Sequence, residues 1–143
     1  PRRGTEFVTR KVTMAAARIR KELKRGTPEP LKLGNLDARR DWGYAGDYVD
    51  AMWRMLQQDK PGDYVIATGV QHSVKDLVQA AFDAVNLNWR DWVSTDKAFI
   101  RPAEVDLLVG DPRKILKACD WRATTKFADL VKMMVEADLS SAP

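Results

Sequence analysis

Between Leu31 and Leu56 the hydrophobic periodicity of the chain changes twice, and this constrains its fold more than any other feature. Leu31-Lys32-Leu33 alternates as a β-prone run and breaks at Gly34-Asn35, a turn-forming pair. A dense polar stretch follows, with adjacent guanidiniums at Arg39 and Arg40 beside Trp42. An amphipathic helix then opens near Gly46-Asp47, with Tyr48, Val49, Met52, Trp53 and Leu56 on one stripe at spacings of three and four. A strand, a basic loop and a helix in succession suit phosphate binding, because guanidinium meets phosphate oxygens in a bidentate way and a helix N-terminus adds positive potential. Two readings of the arginine pair stand: a phosphate clamp, or a loop whose arginines pair with Asp37, Asp41 and Asp47.

The flanking sequence extends the same alternation. Val8 to Lys24 reads as a helix with Val12, Ala15, Ala16, Ile19 and Leu23 on its apolar face, ended by Gly26, Pro28 and Pro30. Tyr64 to Thr68 reads as a fully buried strand. Ser73 caps a helix whose third position, Asp76, favours the positive end, and Asn86 closes it. Trp92 to Thr95 is a short strand. Asp111-Pro112 pairs an N-cap with a proline at the first helical position, for a helix to about Cys119. Thr125 opens the last helix, with Phe127, Leu130, Val131 and Met134 facing the core. The expectation is an α/β chain, mostly helical, with four or five helices and a few short strands.

Hydrophobic residues make up 45% and charged residues 31% of the 143, an ordinary soluble balance that excludes disorder. No apolar run approaches the ~20 residues that span a bilayer. Cys119 is the only cysteine, so no internal disulfide forms and a reducing cytoplasm fits; with His72 the only histidine, no zinc site can be assembled. The net charge of +4 suits an anionic ligand, but the aromatics do not interleave with basic residues as in a nucleic-acid binder. Met52, Met55, Met133 and Met134 sit at helical spacing and read as core, and Cys119 reads as a packed thiol. Trp42 either stacks on a purine or packs beneath its loop.

The segment Arg40-Asp41-Trp42-Gly43-Tyr44-Ala45-Gly46-Asp47-Tyr48-Val49 resembles a signature of the GDP-mannose 4,6-dehydratases, which are extended short-chain dehydrogenases/reductases. Three further blocks occur in that family's order: Pro1-Arg2-Arg3-Gly4 with Phe7-Val8-Thr9-Arg10-Lys11, Tyr64-Val65-Ile66-Ala67-Thr68-Gly69, and Arg101-Pro102-Ala103-Glu104-Val105-Asp106. The chain has no glycine-rich dinucleotide fingerprint and no Tyr-x-x-x-Lys. The resemblance therefore implies a C-terminal piece of a longer protein. Residues 1–143 would form the sugar-nucleotide-binding lobe of an extended Rossmann-type enzyme whose N-terminal dinucleotide-binding domain is absent from the chain.

The resemblance also implies an activity: GDP-mannose becomes GDP-4-keto-6-deoxymannose and water in an internal redox cycle. Hydride leaves sugar carbon four for NADP, the carbon-five proton is removed as water leaves carbon six, and the hydride returns to carbon six. The family's catalytic Tyr-Lys pair, Thr/Ser and Glu lie in its N-terminal part, so no residue here is expected to be catalytic. By resemblance Val8, Lys11, Arg40, Arg101 and Glu104 contact GDP-mannose and Arg3 lies beside the cofactor. The full-length protein is expected to be a cytoplasmic homo-oligomer without nucleic-acid or membrane partners. Two alternatives remain: a sister epimerase, dehydratase or reductase acting on another sugar nucleotide, or a non-catalytic sugar-nucleotide-binding module.

Overall fold

Three helices and a two-stranded parallel ribbon make up the first of two units in the computed structural model, which describes residues 1–100 and 108–141. This unit takes its described residues from 1–38, 73–100 and 131–141; the second takes them from 39–72 and 108–130.

In the first unit, α1 (Val8–Glu22) starts where Phe7 leaves the extended region, and Arg20 and Lys21 in its last turn complement the negative helix end. Val12, Ala15, Ala16 and Ile19 are buried as their spacing demands, on the side that packs against α3 (Val74–Asp83). The helix α3 begins with a reciprocal capping box. The Ser73 hydroxyl accepts from Asp76 N at 3.0 Å, and the Asp76 carboxylate accepts from Ser73 N at 2.8 Å. Leu77, Val78, Ala81 and Phe82 of α3 are buried, each large side chain contributing about 1.5–3 kcal/mol on removal from water. Beyond α3, Asn86 adopts φ 55°, a left-handed conformation that asparagine tolerates. Strand β1 (Leu31–Leu33) pairs in parallel with β4 (Val93–Thr95), Leu31 opposite Val93 and Leu33 opposite Thr95, and only the two leucines of β1 turn inward. From α5 (Phe127–Ser141), Val131, Met134 and Val135 complete the core.

The second unit holds β2 (Arg39–Arg40), which pairs with β3 (His72–Ser73) where the chain enters and leaves the unit, together with α2 (Ala45–Leu56), α4 (Arg113–Cys119) and the first turn of α5. Its core is Ala51, Ile115, Cys119 and Trp121, flanked by Tyr48, Met55, Tyr64 and Ile66. The Trp121 indole donates to the Asp47 carbonyl at 2.9 Å, satisfying its one buried donor. Cys119 is a packed thiol, as expected.

Two expectations are corrected here. The α2 stripe is not a core face: Val49, Met52, Trp53 and Leu56 are exposed, and the helix instead turns Ala51, Tyr48 and Met55 inward. Met52 is thus a surface methionine, whereas Met134 is core. Nor is Tyr64 to Thr68 a strand. A parallel-type strand is buried only when neighbouring strands and covering elements flank it. Among the described residues no ladder forms here, Ala67 alone of the five is buried, and Val65 faces outward. Smaller shifts occur at helix ends, where the Asp111 carboxylate still accepts from Arg113 N at 3.0 Å although Pro112 occupies the cap position.

Candidate functional site

In the first unit the site residues gather at the start of α1. Phe7 carries no side-chain acceptor for the first helical N–H groups, and the first turn has no acidic residue. Those N–H groups and the helix dipole make an anion-receptive end. Val8 is the first residue of α1. One turn on, neighbouring cations part company. Arg10 pairs with Asp138 of α5, both largely buried, while the Lys11 ammonium sits 4.3 Å from the centre of the Phe99 ring. Phe99 is itself held close to the chain at Gly34, where a Cβ would collide with the Phe99 carbonyl oxygen. Arg3, exposed, stacks its guanidinium 3.5 Å above the Phe7 ring. Lys11, Gly34 and Phe99 therefore form one contact set, with Val8 on the same helical turn.

Arg40 lies in the second unit, at the end of β2, where its guanidinium donates to the Arg39 carbonyl at 2.7 Å. Two of the three carboxylates offered to the arginine pair, Asp41 and Asp47, accept from the main chain. Asp41 accepts from Thr68 N at 3.0 Å, Gly69 N at 2.9 Å and Gly110 N at 3.3 Å. Asp47 accepts from Thr124 N at 3.0 Å and Thr125 N at 2.8 Å. Burial raises the Asp47 carboxyl, but the hydrogen bonds from Thr125 and Thr124 prevail and hold it below its ordinary value. Burial, followed by the charges of Asp41 and Asp47, raises the Tyr48 phenol. Trp42 resolves to packing: its ring stacks on Phe127 at 5.9 Å, and His72 stacks on Phe127 at 3.8 Å.

The structure thus places Arg3, Val8 and Lys11 together in one unit and Arg40 in the other. Arg101 and Glu104 lie outside the described residues. Three residues with a clear part in this arrangement, Asp41, Phe99 and Phe127, were not singled out from the sequence as site residues. Their partners are distant in the chain, so no local spacing marks them. Among the described residues no group of His, Cys, Asp or Glu is arranged to hold a metal ion, and no helix is long and apolar enough to cross a membrane.

A profile of the family described as GDP-mannose 4,6 dehydratase matches residues 1–134. The chain is 53% identical over 142 residues to GDP-mannose 4,6 dehydratase 1 of Arabidopsis thaliana, covering 99% of this chain and 38% of that protein. It is 46% identical over 156 residues to the GDP-mannose 4,6 dehydratase of Dictyostelium discoideum, covering 97% of this chain and 43% of that protein. The chain spans about two fifths of the length of these relatives. Among solved structures, RMD from Pseudomonas aeruginosa complexed with NADPH matches with a TM-score of 0.87 at 20% identity, over 99% of this chain and 46% of that one. At that identity the likeness is one of fold.

Proposed function

Because the chain belongs to the GDP-mannose 4,6-dehydratase family, we propose that the protein carrying it is a lyase converting GDP-mannose to GDP-4-keto-6-deoxymannose and water. This chain's share is to hold and orient the sugar nucleotide. The observation that carries the reading is the family match over residues 1–134, which takes in the whole Arg40-Asp41-Trp42-Gly43 block.

The start of α1 supports it. An uncapped helix end with Lys11 one turn along matches what a diphosphate needs: backbone donors and a mobile cation. In this reading Val8 donates through its backbone N–H, and Lys11, Arg40 and Arg101 neutralise the diphosphate. Glu104 accepts from a hydroxyl of the nucleotide. None of these residues performs the chemistry. Their effect is to fix the sugar against the reacting groups, where correct placement can be worth several kcal/mol.

NADP is the cofactor in this reading, and it supplies a reversible hydride acceptor. The exposed Arg3 guanidinium, braced on Phe7, fits a contact with such an anionic dinucleotide. The lone buried cysteine suits a reducing cytoplasm.

The test is conversion by the whole protein of GDP-mannose, UDP-glucose and dTDP-glucose, each with NADP. Loss of one water from GDP-mannose alone is expected. Equal turnover of the UDP- or dTDP-sugar would favour a sister enzyme, and binding without conversion a non-catalytic module.

A further inference from the structure

We propose that Asp41 is a positioning residue of the sugar-nucleotide site, fixing the main chain on both sides of Arg40 so that Arg40 meets the nucleotide. This rests on the reading that Arg40 contacts the nucleotide. Asp41 Oδ1 accepts from Thr68 N at 3.0 Å and from the Thr68 hydroxyl at 2.6 Å. Asp41 Oδ2 accepts from Gly69 N at 2.9 Å and Gly110 N at 3.3 Å. Both oxygens therefore take two donors each, which fills the acceptor capacity of a carboxylate. Such charge-assisted bonds are roughly twice as strong as neutral ones.

The donors come from two distant stretches. One is the turn at 68–70, closed by a bond from Val70 N to the Thr68 hydroxyl at 3.1 Å. Gly69 takes φ 75° within it, a left-handed conformation that favours glycine and strains any other residue. The other stretch is 108–110. Leu108 N donates to the Arg39 carbonyl at 3.4 Å while Gly110 N donates to Asp41, so the chain is tied down on either side of Arg40. The Arg39 carbonyl also accepts from the Arg40 guanidinium. Asp41 is thus the fixed point from which the direction of Arg40 is set.

Asp41→Asn keeps the shape but turns one acceptor oxygen into a donor group that faces N–H donors. Binding of GDP-mannose to the whole protein, by titration calorimetry, is expected to weaken on the order of tenfold. KM should rise with kcat held, since Asp41 does not touch the reacting atoms. In an Arg40→Ala background, Asp41→Asn should add little further loss, because the two act as one unit. A purely structural aspartate would lower the melting temperature, leave KM unchanged and add its effect in full to the double variant; that result would overturn the proposal. If Arg40→Ala leaves affinity unchanged, the underlying reading of Arg40 fails. If Arg40→Ala weakens binding and Asp41→Asn does not, only the role of Asp41 fails. Should Asp41→Asn not fold, Thr68→Val, which removes one donor to Oδ1, decides by the same measurements: a smaller rise in KM supports the proposal and an unchanged KM overturns it.

Discussion

Replacing Asp138 with alanine removes the carboxylate that faces Arg10 inside the first unit. The side chains are 4% and 16% exposed, respectively, so the guanidinium left behind would sit in low dielectric without its counter-charge. Breaking a fully buried pair costs about 3–5 kcal/mol. Arg10 retains some water contact, which places the expected loss near the lower end, about 3 kcal/mol. For a small domain whose urea m-value is about 1–3 kcal/mol/M, the unfolding midpoint should fall by roughly 1–3 M. The pair is incompletely satisfied, because Asp138 Oδ2 has no hydrogen-bond partner among the described residues. Replacing both members with apolar groups of similar size should therefore cost far less. Arg10→Met with Asp138→Leu is expected within about 1 kcal/mol of the parent. Urea unfolding followed by tryptophan fluorescence measures both. A single variant as stable as the parent would refute the reasoning, and so would a double variant as unstable as the single. Because Arg10 shares its turn of α1 with Val8 and Lys11, the single variant should also weaken GDP-mannose binding.

Two further outcomes follow from the second unit. The Asp47 carboxyl is held below its ordinary value of 3.8, so its stabilising effect is complete above that value and is lost as pH falls through its lower folded value. Melting curves of the parent and Asp47→Asn should therefore differ most near neutrality and converge in acid; a gap that widens in acid would reverse the sign. On α2, Leu56 is 82% and Trp53 61% exposed, so Leu56→Lys with Trp53→Gln should reduce self-association of this chain in light scattering. Stability should change by only about 0.5 kcal/mol, as for ordinary surface substitutions. Unaltered association would mean that this stripe is not what drives it.

Periodicity made α1 and α3 legible, because the aliphatic residues at three-and-four spacing on these two helices are the ones the core buries. The Ser73 cap and the acidic Asp76 behind it were legible in the sequence, while the return bond from Ser73 N to the Asp76 carboxylate came from the structure. On α2 the same spacing marked a helix but not its buried side, since Ala51 wins the core through the neighbours it meets, Ile115 and Trp121. Composition likewise marked Tyr64 to Thr68 as strand-forming, yet a strand needs a partner that sequence cannot supply locally. For the candidate site, the resemblance blocks offer Val8, Lys11, Arg40, Arg101 and Glu104 as contacts, which binding measurements have to test. The supports were not legible: Asp41 with Thr68, and Lys11 with Phe99, are pairs made by tertiary folding.

Titration of GDP-mannose into the whole protein and its Lys11→Ala, Arg40→Ala and Arg101→Ala variants bears most directly on the central claim. Each single change is expected to weaken binding, Arg101→Ala by about 2–5 kcal/mol if its ion pairing is desolvated. Three variants that bind as tightly as the parent would contradict the account.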